Sequence, residues 1–205
     1  RSLTSVRKRY IGNAYLYTEQ EKSALFKDYE KKDQTTLLDM QGQDVSTYTE
    51  SEYMQYVDVL NWMRGDILQK ADKMTMAHSL ELRVPFLDME VYGVARVLPD
   101  TWKYAGGTTK HILRDAFTSY MPEKTNTRPK LGFPTPWHTW LQRDSDVVKK
   151  TILQSPIIQD MCRTSEIEKL FTKKALQDKF VGRRIFVLLQ LALWYDVYIQ
   201  NPNTY

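Results

Sequence analysis

DILQKADKMTMAHSLELRVPFLD, residues 66–88, is the part of the sequence whose local structure follows most directly from its residue types. It starts on the charged end of an amphipathic segment, continues through a methionine-rich turn, and meets Pro85, which breaks any helix that reaches it. The residue before a proline favours an extended backbone, along which side chains alternate with a period of two. Glu81 and Arg83 are therefore predicted to lie on one face, where a carboxylate and a guanidinium are presented together.

Helical patterns lie on both sides of this stretch. Apolar residues at spacings of three and four predict one long helix over about residues 49–70, with its aromatic residues in the core. Asp88 is the predicted N-cap of the next helix, which Pro99 ends. Residues 181–199 are apolar on almost every side, which predicts a helix at the centre of the core.

The composition is that of an ordinary globular protein. With 205 residues, 42% hydrophobic and 26% charged, the chain is long enough to bury a substantial core. We predict a mostly α fold with little or no sheet, forming a single domain over residues 1–205 that is irregular or linker-like over 1–48 and helical over 49–205. Capping-box sequences at Thr18 and Ser165 mark two further helix starts.

Charge and cysteine content argue against several classes of function. The net charge of +4 is dispersed and accompanies no recognition motif, so no nucleic-acid partner is expected. No run approaches the ~20 apolar residues of a membrane span, so no membrane partner is expected either. Cys162, the single cysteine, rules out an intramolecular disulfide and fits a reducing, cytoplasmic location. It has no histidine near it in sequence, which predicts a structural residue rather than a nucleophile.

A lysine near a helix start is the first candidate for chemistry. After the break at Gly106 and Gly107, residues 108–120 predict a helix with Lys110 in its first turn. The amino end of a helix carries partial positive charge, so a lysine is disfavoured there unless an anion binds nearby. The alternative is a solvated surface lysine, which spacing alone favours.

A proline-rich loop supplies two more cations. RPKLGFPTP, residues 128–136, contains Arg128 and Lys130 among three prolines and a glycine. Both side chains can approach an anionic substrate, but rigid proline loops with a basic rim are also common packing devices, so both interpretations stay open. The sequence contains no metal-ligand cluster, and no metal ligand is predicted.

Three runs, in this order along the chain, resemble the glutamine-hydrolysing asparagine synthetases. DKMTMAHSLELRVPFLD is similar to the D-[KR]-M-[ST]-M-A-x-S-x-E-x-R-x-P-F-L-D signature of their synthetase domain. GGTTKHILRDAF, residues 106–117, resembles their G-x-x-K-x-x-L-R segment, and RPKLGFPTP resembles their R-x-K-x-G-F-x-x-P loop. The resemblance implies the helical carboxy-terminal portion of an α/β synthetase domain of the adenine-nucleotide-hydrolase (PP-loop ATPase) type.

The resemblance also implies a reaction. In the family, ATP with Mg²⁺ activates aspartate as β-aspartyl-AMP, and ammonia from glutamine then forms asparagine. This places Lys110 at the phosphates or the acyl-adenylate, as the first catalytic candidate. We expect Glu81 to act as a general base or to hold a cation, and Arg83 to orient or neutralise an anionic group. Alternatively, these two residues form a structural pair that fixes the turn. Arg128 and Lys130 are further candidates for binding phosphate or substrate.

Several parts of the family pattern do not occur in this sequence. The S-G-G-x-D-S nucleotide loop, the G-x-G-[AS]-D-E segment with the acidic magnesium ligands, and the amino-terminal cysteine of the glutaminase domain are absent, and the chain starts at Arg1. We therefore expect a carboxy-terminal part of a longer enzyme, inactive alone, whose partners are the glutaminase and PP-loop portions of the same chain. A homodimer is compatible with this interpretation. An apolar surface that faces the sheet of the intact protein is then expected to be exposed and to promote self-association.

Two other interpretations stay open. β-Lactam synthetases and lasso-peptide cyclases share much of the signature and form other amide bonds, although the closeness of DKMTMAHSLELRVPFLD to the asparagine synthetase pattern favours aspartate. The other alternative is a non-catalytic helical interaction module that keeps the fold. An upstream S-G-G-x-D-S loop in the parent reading frame would favour the enzyme.

Overall fold

The computed structural model describes most of the chain. The described residues are 6, 10, 12, 15–31, 44–129, 132 and 135–202. Their contacts group the chain into two compact units, the first from Arg1–Ala14 and Thr35–Gly132 and the second from Tyr15–Gln34 and Phe133–Tyr205. A single domain over residues 1–205, with its irregular part ending at residue 48, stays a prediction.

Both units are built mainly from helices, which confirms the predicted mostly α fold. In chain order the α-helices are α1 Glu19–Leu25, α2 Glu50–Asp58, α3 Gln69–Met76, α4 Met89–Val97, α5 Asp100–Lys103, α6 His111–Ala116, α7 Glu123–Thr127, α8 Trp137–Arg143, α9 Ser145–Gln154, α10 Pro156–Met161, α11 Thr164–Leu170 and α12 Lys179–Tyr195. Strands β1 Tyr104–Ala105 and β2 Thr108–Thr109 pair antiparallel. Segments Val59–Leu68 and Asp196–Gln200 are π-helical, and Pro85–Leu87 and Ala175–Gln177 are 3₁₀ turns. Among the described helices, none is both long enough and apolar enough to cross a membrane.

The longest helical run of the first unit continues through α2, the π-helical segment Val59–Leu68 and α3. It begins at a capping box, in which the backbone N–H of Thr49 donates to the Glu52 carboxylate at 2.8 Å and the N–H of Glu52 donates to the Thr49 hydroxyl at 3.2 Å. The helix predicted over residues 49–70 is therefore confirmed at its start, and it extends further, to Met76.

The apolar side of this run is only partly a core, and the aromatic residues predicted to be buried, Tyr53 and Tyr56, lie in its first part. Tyr53 and Val57 are 3% and 2% exposed and form the centre of a small cluster that includes Tyr56. Trp62 and Ile67, in contrast, are each 38% exposed. They belong to the π-helical segment, and its wider turn moves them away from the buried face.

The helix that follows the 66–88 stretch starts and ends as predicted. Asp88 caps α4 because its carboxylate accepts hydrogen bonds from the backbone N–H groups of Glu90, at 2.9 Å, and Val91, at 3.4 Å. The helix ends before Pro99. The cap fixes the point at which the chain leaves the 3₁₀ turn Pro85–Leu87 and continues as a helix.

The helix predicted over residues 108–120 is wrong at its start, because a hairpin occupies it. Gly106 and Gly107 have φ angles of 57° and 73°, left-handed values that close the turn between β1 and β2. Helix α6 follows and is only 6 residues long. Lys110 therefore precedes the helix instead of lying in its first turn.

The second unit packs around one face of α12. Ile185, Leu188 and Ala192 of this helix are buried, whereas Leu193 and Trp194 are 45% and 50% exposed. The prediction of a helix at the centre of the core is therefore correct for one face and wrong for the other. The other buried apolar residues of this core are Leu25, Leu141, Ile152, Ile158, Cys162 and Ile167.

Two details of the second unit concern residues singled out in the sequence. The capping box at Thr18 is present at the start of α1. The helix start predicted at Ser165 is wrong, because α11 begins at Thr164 and its N-cap residue makes no side-chain hydrogen bond.

Cys162 is buried, and its burial raises the pKa of the thiol, which suits a packing residue rather than a nucleophile.

Arg163 ties α1 to the end of α10. Its guanidinium donates to the carbonyl oxygens of Ser23, Ala24 and Lys27 at 2.8, 2.9 and 3.1 Å, and also to that of Phe26. Carbonyls at the end of a helix have no intrahelical donor and carry partial negative charge, so a cation is favourable there. One side chain thus holds a short, early helix against the carboxy-terminal helices of the same unit.

Arg163→Ala is expected to destabilise the second unit by about 1–3 kcal/mol, because charge-assisted hydrogen bonds to several carbonyls are lost. Urea unfolding followed by circular dichroism measures the change, and amide exchange at Lys27, whose N–H donates to Met161, locates it. Arg143→Ala is the matched control, since Arg143 pairs with its exposed neighbour Asp144. This substitution is expected to lower the free energy of unfolding by less than about 1 kcal/mol. Equal effects of the two substitutions would contradict this role of Arg163.

Candidate functional site

Lys110 lies at the junction of β2 and α6 with an uncommon backbone. Its φ of 60° and ψ of 35° place it in the left-handed region, which costs a residue other than glycine about 1–3 kcal/mol. It occupies the N-cap position of α6, but its side chain makes no capping hydrogen bond. The surrounding hairpin and helix therefore hold Lys110 in a conformation that it does not favour by itself.

The ammonium group of Lys110 is exposed and unpaired. Within the described residues it makes no ion pair and no hydrogen bond. A solvated surface lysine has the same freedom, but it does not require a left-handed backbone. A strained backbone that holds an unpaired cation in place is typical of a site that is preorganised to bind an anion.

Arg114 fixes the loop that carries Arg128 against this junction. Its Nε donates to the carbonyl oxygen of Thr109 at 3.2 Å, its Nη2 donates to that of Arg128 at 3.1 Å, and its Nη1 donates to that of Asn126. Its backbone N–H donates to the carbonyl oxygen of Lys110 at 3.0 Å. One half-buried arginine thus joins the end of the hairpin, the first turn of α6 and the end of α7.

Side chains next to Arg114 reinforce this connection. The amide nitrogen of Asn126 donates to the Thr118 hydroxyl at 2.9 Å, and that hydroxyl donates to the carbonyl oxygen of Arg114 at 2.7 Å. The loop that leads to Arg128 is therefore held by both side-chain and backbone groups of α6 and the turn after it. Arg114 is not among the candidate residues that the sequence predicts. The one signal for a larger role is its place in the K-x-x-L-R run.

Glu81 and Arg83 form an ion pair with each other. Residues 80–84 belong to no helix or strand, and Arg83 Nη2 lies 2.5 Å from Glu81 Oε1, with side-chain exposures of 83% and 68%. Exposed pairs of this kind contribute about 0–1 kcal/mol to stability, so the pair is a weak device for fixing a turn. Both residues border an open depression, together with Asp72 and Ser79.

The structure brings some of the predicted site residues together and leaves others apart. Lys110 and Arg128 belong to segments that the Arg114 guanidinium and backbone join. Among the described residues, no hydrogen bond or ion pair connects Glu81 or Arg83 with either of them. Lys130 lies outside the described residues. In the described part of the chain, no group of three or more His, Cys, Asp or Glu side chains is placed to hold a metal ion.

Exposed apolar side chains accompany the Glu81–Arg83 pair. All of them lie within residues 74–97, which we call the 74–97 surface, and each is at least 41% exposed. They are Met74, Met76, Leu80, Leu82, Val84, Phe86, Met89, Val91, Val94 and Val97. Exposed apolar surface of this extent is typical of an interaction site.

The sequence is similar to those of known proteins. The sequence model of the family described as Asparagine synthase matches residues 2–196. The chain is 38% identical over 205 residues to Asparagine synthetase (glutamine-hydrolyzing) 1 of Bacillus subtilis (strain 168), covering 98% of this chain and 32% of the relative. It is 38% identical over 150 residues to a putative asparagine synthetase (glutamine-hydrolyzing) of Mycobacterium tuberculosis (strain ATCC 25618 / H37Rv), covering 72% of this chain and 23% of the relative.

A shorter match extends to the asparagine synthetase (glutamine-hydrolyzing) of Homo sapiens, at 41% identity over 71 residues, 33% of this chain and 12% of the relative. The chain spans about a third or less of the length of these relatives. No solved structure matches it.

Arg114→Ala is expected to destabilise the first unit by about 1–3 kcal/mol and to release the loop that carries Arg128, because three carbonyls lose their donor. Arg114→Lys is expected to destabilise the unit and release the loop almost as much as Arg114→Ala, since one ammonium cannot reproduce the planar fork that reaches all three acceptors. Amide exchange over residues 123–129 measures the release. Unchanged protection in both variants would show that Arg114 does not hold the loop.

Proposed function

The chain belongs to the asparagine synthase family, and from this we propose that it is part of an ATP-dependent ligase that converts aspartate to asparagine with ammonia from glutamine. The match to the family over residues 2–196 carries the proposal. Because the chain spans 32% of the Bacillus subtilis relative, the complete reaction is proposed for the longer protein. Its glutaminase and PP-loop portions are the proposed partners, and these 205 residues alone are expected to be inactive.

The proposed reaction has two steps. The side-chain carboxylate of aspartate attacks the α-phosphorus of ATP, so that a new P–O bond forms and pyrophosphate leaves. Ammonia then attacks the activated carbonyl carbon, and AMP leaves with the oxygen that came from aspartate. Negative charge develops on the phosphoryl and acyl oxygens in these steps, and fixed cations stabilise it in a site from which water is excluded.

Lys110 is the residue to which we assign the first of these cations. Its exposed ammonium, which has no partner among the described residues, and its left-handed backbone support the assignment. One well-placed donor to a developing oxyanion contributes about 3 kcal/mol to the barrier. The hairpin and Arg114 act as the frame that keeps the ammonium at this position while the substrates bind.

The remaining cations are assigned to substrate binding. Arg128 is held beside the same junction by its backbone, which leaves its side chain free to reach a phosphate or the substrate carboxylate. Lys130 follows it in the same loop and is proposed for the same role. Arg83 is proposed to bind an anionic group by exchanging its partner Glu81 for the ligand, and Glu81 is then free to accept a proton or to hold a cation.

Partners and surroundings follow from the same proposal. ATP brings Mg²⁺ to the reaction, but no group of described side chains fits that ion, so we propose that its ligands lie in the PP-loop portion. The 74–97 surface is proposed to pack against that portion, which would cover its apolar side chains.

A homodimer stays a prediction. The lone buried thiol of Cys162 suits a reducing compartment, and we propose the cytoplasm.

Aspartate-dependent ATP–pyrophosphate exchange by the full-length protein tests the assignment of Lys110. Lys110→Ala is expected to lower exchange about a hundredfold or more, the loss typical of one oxyanion donor. Lys110→Asn is the control for backbone strain, because asparagine tolerates the left-handed region, and it is expected to lose as much activity as alanine.

Lys124→Ala provides the matched surface control, since Lys124 is an exposed lysine on α7, and it is expected to retain the exchange activity. Exchange activity that remains in a folded Lys110→Asn protein would show that Lys110 is a solvated surface lysine with no part in the reaction. Exchange that does not depend on aspartate would point to a different acceptor substrate within the family.

A further inference from the structure

The first unit contains a cavity of about 760 Å³, within the size range of small-molecule sites. Its walls come from α2, the π-helical segment and α4, and they carry the side chains of Tyr56, Trp62, Ile67, Tyr92 and Arg96. None of the described residues assigned above to the aspartate and phosphate chemistry lines it. The cavity therefore needs an explanation of its own.

The π-helical segment creates one wall of this cavity. Asp58, Trp62, Met63 and Ile67 all line it, at spacings of four and five residues. In an α-helix with 3.6 residues per turn, residues nine apart lie two and a half turns apart and face opposite sides. Hydrogen bonds from i to i+5 widen the turn, so that Asp58 and Ile67 come to the same side. Such segments are frequent at functional sites.

The opposite wall supplies an unpaired cation. Arg96 of α4 makes no hydrogen bond or ion pair within the described residues, and Tyr92 precedes it by one helical turn. Burial and the neighbouring phenols of Tyr48 and Tyr92 raise the pKa of Tyr56, and the charge of Arg96 opposes that shift. The guanidinium and these phenols line the same cavity.

The carboxylates of the cavity wall are already engaged. Glu52 accepts the backbone N–H of Thr49 at 2.8 Å, and Asp58 accepts the hydroxyl of Tyr10 at 2.7 Å. Lys103, the other lining cation, lies 3.9 Å from Asp100. Of the two lining cations, Arg96 is thus the one without an ion pair among the described residues.

We propose that this cavity binds a small aromatic molecule that carries a carboxylate or a similar anionic group. Its anionic group lies at Arg96, with phenolic hydroxyls of the wall as further donors. Its ring packs against Trp62 and the apolar side chains of the π-helical wall. Tyrosine, tryptophan and arginine together are the residue types that recognise such ligands, because rings supply contact area and the guanidinium pairs with a carboxylate in a planar fork.

Binding of 4-hydroxyphenylacetate to the full-length protein tests the proposal, with its neutral amide, 4-hydroxyphenylacetamide, as the matched probe. Calorimetry measures binding. We expect the carboxylate to bind about tenfold or more tightly than the amide, which is the worth of one charge-assisted hydrogen bond. Arg96→Gln is expected to remove this preference, and Arg96→Lys is expected to keep part of it.

Arg183→Gln is the control, because Arg183 lies over the Phe180 ring in the second unit and is expected to leave the preference unchanged. If Arg96→Gln fails to fold, Trp62→Leu replaces it, and this variant is expected to bind both probes more weakly by the same factor. Three results would overturn the proposal. They are absence of binding by the wild-type protein, equal affinity for the two probes, and a preference that persists in folded Arg96→Gln protein.

Discussion

The hydrogen bonds of Arg114 are the interaction on which the candidate site depends. One guanidinium reaches carbonyl oxygens on the hairpin end and on the residues that close α7, while its backbone is bonded to Lys110. Carbonyls in irregular segments lack the partners that a helix or sheet supplies, so a planar cation with several donors can hold three segments at once. The bond from the Asn126 side chain to the Thr118 hydroxyl adds to this connection.

The same unit combines this rigid junction with surfaces that nothing in the described chain covers. The 74–97 surface is apolar and exposed, and the π-helical segment turns Trp62 and Ile67 away from the core. A protein stores strain and exposed apolar area where function or a partner requires it, since neither stabilises a free monomer. In the proposed longer enzyme, the PP-loop portion would cover the 74–97 surface and complete the reaction centre.

The sequence predicted those parts of the fold that depend on neighbouring residues. The caps at Thr18 and Asp88 and the pairing of Glu81 with Arg83 depend on side chains within a few positions, and the structure contains them. The π-helical segment was missed because apolar periodicity does not distinguish a helix with i→i+5 hydrogen bonds from an α-helix. The periodicity also shows which face of a helix is apolar without showing what covers that face. The role of Arg114 was missed because its acceptors are backbone atoms, which have no sequence signal.

Transfer of labelled oxygen tests the central claim most directly. The full-length protein would be supplied with ATP, glutamine and aspartate whose side-chain carboxylate carries ¹⁸O, and the products would be analysed by mass spectrometry. Attack of the carboxylate on the α-phosphorus predicts one ¹⁸O atom in AMP and none in pyrophosphate, with asparagine formed in equal amount. Asparagine formed with the label in inorganic phosphate, or AMP formed without label, would contradict the account.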